Sequence, residues 1–217
     1  MQVTFLFGGH DTTGFTLAWA LCELAAHPAA MKRLRAELDE HNPQGKEWTV
    51  DMLSNCKYLD QVVSETMRLW PAGPLAPVRG TDEEVELSNG MVLPKGASVF
   101  MPCYIQQRIG VEDAEDWRPE RWDAASPERQ FLEANHRPFG AGKRICVGMN
   151  LAMLELRVSV ATVAQTFDLE LHTVRRTPIN DSLCAVQHFL LCVSLLQTRM
   201  RPRRDFELGV GDITHSS

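Results

Sequence analysis

No two cysteines in this chain are spaced as Cys-x-x-Cys; the six thiols stand at 22, 56, 103, 146, 184 and 192. The ligand spacing of a zinc site is therefore missing. The even count permits a disulfide framework, but such frameworks belong to small chains with little core. Most of these thiols read as small buried hydrophobes. Excess positive charge is lacking too: 22 Lys and Arg stand against 28 Asp and Glu, for a formal net charge of −6. No nucleic-acid partner is expected from such a balance. The longest apolar stretch near the end, residues 185–196, falls short of the ~20 residues that span a bilayer. Residues 1–7 hold no basic side chain and run straight into Gly8-Gly9, unlike a secretory signal. Internal repeats and low-complexity tracts are absent as well. What remains is ordinary globular material: 217 residues, 44% hydrophobic and 23% charged. That suffices for one large domain or for a piece of something bigger, and it excludes disorder and collagen.

Residues 3–27 are largely apolar and end at His27-Pro28, where a helix should stop. Within them, Gly8-Gly9-His10-Asp11-Thr12-Thr13-Gly14 combines helix-weakening glycines with β-branched threonines. Such conflicts with local propensity are expected at functional sites. Residues 29–40 carry Met31, Leu34 and Leu38 at helical spacing, with Lys32, Arg33, Arg35, Glu37 and Asp39 on the solvent face. After the loop Asn42-Pro43-Gln44-Gly45, the pattern Leu59, Val62, Val63, Thr66 and Leu69 predicts a helix that Trp70-Pro71 ends. Residues 84–87 and 91–93 flank Ser88-Asn89-Gly90 as a hairpin, and 97–101 is a further strand. Residues 109–142 read as one long irregular segment, and long loops in compact domains are usually functional. A last helix is predicted from about 148 to 165. Residues 167–171 and 189–196 then form a β pair, beside the basic cluster Arg199, Arg201, Arg203 and Arg204. The fold class is α+β, mainly helical with small β-sheets.

The informative stretch is Phe139-Gly140-Ala141-Gly142-Lys143-Arg144-Ile145-Cys146-Val147-Gly148. A cysteine between a glycine-rich loop and a following helix faces backbone N–H groups and the positive end of the helix dipole, which stabilises a thiolate. Glycines let the backbone approach a bulky group closely. Arg144, two residues before the sulfur, is placed to neutralise a carboxylate on whatever the thiolate binds. The bland alternative is a buried structural cysteine beside a loop. The neighbours favour the first. The stretch resembles the haem-ligand signature of the cytochrome P-450 family, the haem-thiolate monooxygenases. Phe139, Gly142, Arg144, Cys146 and Gly148 fill every fixed position of Phe-x-x-Gly-x-Arg-x-Cys-x-Gly, and Ala152 and Glu155 match its continuation.

Three further elements arrive in that family's order. Glu65-Thr66-Met67-Arg68 fits its Glu-x-x-Arg motif, although an i,i+3 ion pair alone is common on solvated faces. Pro119-Glu120-Arg121-Trp122 resembles its Pro-Glu-Arg-Phe element, with Trp122 in place of the usual Phe. The resemblance implies that Glu65, Arg68 and Arg121 form a buried network locking the loop before the cysteine. Such burial is costly unless every donor is satisfied, so the network would serve placement, not net stability. Residues 8–13 resemble the oxygen-activation motif of the family's long central helix; on composition alone, Asp11 or Thr12 equally well caps a helix. In the family reading, a Thr12 hydroxyl bonded to a backbone carbonyl opens a groove, and Asp11 delivers protons through that hydroxyl or water. His10 takes a variable position and reads as a surface or pocket residue. Arg79 stands where the family has a propionate-binding arginine, with a solvated rim charge as the alternative. His136 and His188 have no spacing that demands a metal.

The resemblance runs from residue 3 to about 196. It implies that 1–217 is the C-terminal part of a single cytochrome P-450 domain whose N-terminal half is absent. Cys146 thiolate would ligate heme b (iron protoporphyrin IX) and push electron density that favours O–O cleavage. The substrate would be a lipophilic small molecule, oxidised with O2; residues 112–122 look most like branches that hydroxylate fatty acids and alkanes. Electrons would come from an NADPH-dependent reductase, since no flavin or nicotinamide motif appears. The full-length parent is expected at the endoplasmic reticulum membrane, on its cytoplasmic face. The chain alone is expected to hold haem poorly and to turn over little substrate. Two alternatives stay open. One is a haem-thiolate isomerase or peroxygenase without an electron partner, which the Asp11-Thr12 pair argues against. The other is a non-catalytic haem-binding or partner-binding remnant.

Overall fold

The computed structural model describes residues 2–75, 78–173 and 197–203. Two compact units emerge: Met1–Thr16 with Gln61–Met153, and Leu17–Asp60 with Leu154–Ser217. Three helices, α1 (Gln2–Ala26), α4 (Lys57–Leu69) and α7 (Met149–Thr166), each contribute to both.

In the second unit, α2 (Pro28–His41) starts with proline at its first position, where the missing N–H costs nothing. Met31, Leu34 and Leu38 form its buried stripe, and Leu24, Leu53, Val160, Ala161 and Ala164 are buried in the same unit. The opposite face is not simply solvated. Glu37 accepts the Tyr58 and Leu59 backbone N–H groups at 2.8 and 2.9 Å, which caps α4 from another helix. Arg35 donates to the Ala164 and Phe167 carbonyls at 2.9 and 2.7 Å and pairs with Asp168 at 3.0 Å. Charge spaced along a helix thus serves tertiary contacts that periodicity cannot reveal. A short helix, α3 (Val50–Asn55), begins at Thr49, whose hydroxyl accepts the Met52 N–H at 3.3 Å. The strand β5 (Phe167–Thr173) pairs antiparallel with β6 (Gln197–Pro202), with an irregularity between Leu171 and Thr173. The expected partner of β5, residues 189–196, lies outside the described residues, as do His188, Arg204, Cys184 and Cys192.

The first unit holds two small antiparallel pairs. β1 (Val78–Gly80) joins β4 (Ser98–Phe100), and β2 (Val85–Glu86) joins β3 (Val92–Leu93) around the predicted turn. Gly90 sits there at φ +81°, and Asn89 Oδ1 accepts the Met91 N–H at 3.0 Å. α5 (Cys103–Gln106) follows. Residues 109–142 are more ordered than their composition suggests: they contain a 3-10 turn at Pro119–Trp122 and α6 (Arg129–Asn135). Only Leu132 of α6 is buried, so no apolar stripe betrays that helix. On α4 the reverse holds, since Glu65, Thr66 and Arg68 are as buried as Val62, Val63 and Leu69. Among the described residues, no helix is long and apolar enough to cross a membrane.

Candidate active site

The cysteine loop is shaped by its glycines. Gly140 (φ +74°) and Gly142 (φ +67°) adopt left-handed backbone, which a side chain would strain. The first bend closes with the Gly140 N–H on the Arg137 carbonyl at 3.0 Å. A 3-10 turn over Gly142–Arg144 follows, with the Ile145 N–H on the Gly142 carbonyl at 3.1 Å. The Cys146 N–H then returns to the Phe139 carbonyl at 3.0 Å, so the two ends of the motif are pinned together. α7 starts three residues later, with the Met149 N–H on the Cys146 carbonyl at 3.3 Å. The thiol is exposed, whereas Cys22, Cys56 and Cys103 are buried. A Cβ added at Gly148 would meet Cys146 Sγ at 3.9 Å, an ordinary contact.

Three apolar residues close to the thiol in sequence are exposed, as are Lys143 and Arg144. Ile145, Val147 and Leu151 are 45, 85 and 61% exposed. Arg144 is exposed, and Arg79 is half-buried on β1 with Nη1 donating to the Val78 carbonyl at 3.0 Å. Neither arginine has an acidic partner among the described residues. No group of three or more His, Cys, Asp or Glu among them could enclose a metal ion. A lone thiol, exposed hydrophobes beside it and two uncommitted cations fit a metal carried in a flat macrocycle with acidic side groups. They do not fit an ion held by protein ligands alone.

Behind the loop lies a buried ion network. Glu65 Oε2 accepts from Arg68 Nε at 2.8 Å and from Trp122 Nε1 at 2.9 Å. Its Oε1 accepts from Arg68 Nη2 at 2.9 Å and from the Arg118 backbone N–H at 3.0 Å. Arg68 spends its remaining donors on the Ala114, Asp116 and Gln107 carbonyls, at 2.8, 3.1 and 3.4 Å. Arg121 joins less directly than expected. Its Nε lies 3.4 Å from Glu65 without a hydrogen bond, while Nη1 pairs with Glu128 at 2.7 Å and Nη2 donates to the Asp113 carbonyl at 2.6 Å. That last bond secures a non-glycine residue at φ +47°. Sequence reasoning missed Glu128 and the indole of Trp122. The departure from Phe at 122 was the available signal.

Asp11 and Thr12 stand well inside α1, not at a cap. Thr12 Oγ1 donates to the Gly8 carbonyl at 2.6 Å, and Asp11 Oδ1 meets His10 Nδ1 at 2.9 Å. Added Cβ atoms at Gly8, Gly9 and Gly14 would meet nothing within 4 Å. Among the described residues, no hydrogen bond or ion pair joins this motif to the cysteine loop.

A family model described as cytochrome P450 matches residues 2–193. This chain belongs to the cytochrome P450 family. It is 37% identical to cytochrome P450 3A13 of Mus musculus over 172 residues, covering 78% of this chain and 33% of that protein. Cytochrome P450 3A6 of Oryctolagus cuniculus is 34% identical over 181 residues, 82% of this chain and 35% of the relative. The putative cytochrome P450 CYP13A5 of Caenorhabditis elegans is 33% identical over 178 residues, 81 and 34% of the two chains. The chain thus spans about a third of the length of the P450 relatives it matches.

Proposed function

We propose that this chain forms the cysteine-ligand part of a single-domain haem-thiolate monooxygenase, with Cys146 as the axial thiolate to heme b. The observation that carries the reading is the exposed Cys146 thiol, pinned through its own N–H to Phe139 at the start of α7. When bound, the haem supplies the site for dioxygen and the one-electron chemistry. The chain's residues do the rest. Gly142 and Gly148 keep the loop narrow, and Phe139 anchors its return. Arg144 and Arg79, which have no acidic partner among the described residues, neutralise the acidic side groups. Thr12 and Asp11 hold and pass protons on the substrate side. The Thr12–Gly8 bond spends that hydroxyl's proton on a carbonyl and leaves its oxygen free to accept another. This pair has no task in an isomerase or peroxygenase, which speaks for the monooxygenase. The substrate class is lipophilic, with fatty acids or alkanes as the specific candidates. The electron donor is an NADPH-dependent reductase, and the parent protein sits on the cytoplasmic face of the endoplasmic reticulum.

The test is spectroscopic. In the haem-loaded parent, Cys146→Ser removes the red-shifted ferrous–carbonyl Soret band, while Cys56→Ser and Cys103→Ser leave it intact. Retention of the band in the Cys146 variant overturns the assignment.

A further inference from the structure

We propose that Trp122 is the positioning residue of the cysteine loop in this chain: its indole N–H completes the buried Glu65 carboxylate while its ring edge holds His136, where the loop begins. The proposal rests on the reading of Cys146 as the metal-ligand position. A carboxylate offers about four acceptor sites. At Glu65 those four go to two Arg68 donors, the Arg118 N–H and the Trp122 indole. Arg121 places its hydrogen bonds on Glu128 and Asp113, and its Nε lies 3.4 Å from Glu65 Oε1 without one. A phenylalanine at 122 would leave Oε2 with a single donor inside a fully buried site, and an unmet acceptor there is expensive.

The other edge of the same ring faces forward. Trp122 and His136 pack edge to face, with centroids 4.8 Å apart and planes at 67°. Both ring nitrogens of His136 are sealed from solvent and have no hydrogen-bond partner among the described residues. Burial, then the charges of Arg68 and Arg137, push the imidazole down to about 3, so it is neutral and packs as an apolar ring. Its side-chain orientation is therefore set by packing, and Trp122 is its aromatic neighbour. His136 itself ends α6 through its N–H on the Leu132 carbonyl at 2.7 Å. The next residue, Arg137, accepts the first bond of the cysteine loop. One side chain therefore links the buried carboxylate of α4 to the entry of the loop.

The experiment uses the full-length parent protein in its haem-free form. Backbone amide exchange is read at Gly140 and Cys146, with the alkylation rate of the Cys146 thiol beside it. Trp122→Phe is expected to speed exchange at both amides about ten-fold, the cost of one donor lost from a buried carboxylate. Alkylation should rise in parallel. The control is Trp117→Phe, which loses an equally buried indole bond, to Thr66 at 3.1 Å. It should lower the melting temperature comparably yet leave loop exchange within about two-fold. Should Trp122→Phe fail to fold, His136→Leu breaks the far end of the link with Glu65 untouched, and it should loosen the same two amides. Unchanged loop exchange in the folded variant, or equal loosening by Trp117→Phe, overturns the proposal. An unchanged loop in Trp122→Phe together with a lost carbonyl band in Cys146→Ser sinks this inference alone. A loosened loop together with a retained band sinks the ligand reading alone.

Discussion

Cys146 differs from the other described cysteines in access: its thiol is exposed and theirs are buried. The Cys56 thiol is pushed up to about 12, first by burial and then by Glu37 and Asp60, and burial raises Cys103 as well. Thiolates do the nucleophilic work, so a short pulse of alkylating reagent at pH 8 should mark Cys146 at least about ten-fold faster than Cys22, Cys56 or Cys103. Peptide mass spectrometry reads the ratio, and comparable labelling of Cys56 would show that its surroundings open in solution. Thr12 makes a second residue-scale case. On the proposed monooxygenase reading, Thr12→Ala in the full-length protein should keep haem and substrate binding while diverting reducing equivalents to hydrogen peroxide. Unchanged product per electron would reduce the motif to a feature of the helix.

Elements here owe their ends to partners distant in sequence. Glu37 caps the first turn of α4 across a gap of about twenty residues, so Glu37→Gln should cost about 1 kcal/mol and lower the urea midpoint without changing its slope. Gly142→Ala has open space for its methyl group but meets a φ of +67°, so backbone strain alone should cost about 1 kcal/mol. A destabilisation by Gly142→Ala no larger than that of an exposed helix substitution would argue against the left-handed turn. The same contrast explains what the sequence made legible. α2, α4, α7 and the Asn89-Gly90 hairpin announce themselves through local spacing and turn chemistry, and so does the cysteine motif. Glu37 on α4, Arg35 on the Ala164 and Phe167 carbonyls, Glu128 on Arg121 and the indole on Glu65 depend on the folded path of the chain. α6 escaped because its sequence is polar around most of its surface, and α3 because one capping threonine is a weak sign.

For the whole molecule, the buried titratable groups define a pH window. His136 stays neutral in the fold to about 3 but takes a proton near its ordinary value when unfolded, so stability is full above about 6.5 and falls as pH drops toward 3. Asp60 works in the opposite sense, because burial raises its carboxyl despite Arg157. Cys56, Cys103 and Tyr104 are all raised mainly by burial, so their contribution is full below their unfolded values and is lost as pH climbs from about 9. Melting temperature against pH should therefore plateau between about 6.5 and 9, and His136→Phe should flatten the acid side; an unchanged acid side would show that other groups set it. The cluster behind the cysteine loop adds a separate property. Glu65, Arg68, Arg121 and Glu128 sum to zero formal charge, and three of the four side chains are wholly out of solvent. Mobile ions weaken exposed pairs such as Arg129–Glu133 and reach Glu128 with its exposed partner Arg118, but they have no path to the wholly buried Glu65–Arg68 pair. Ionic strength should thus act on this cluster only at its Glu128 rim, so the order of the loop should change little from dilute buffer to molar salt.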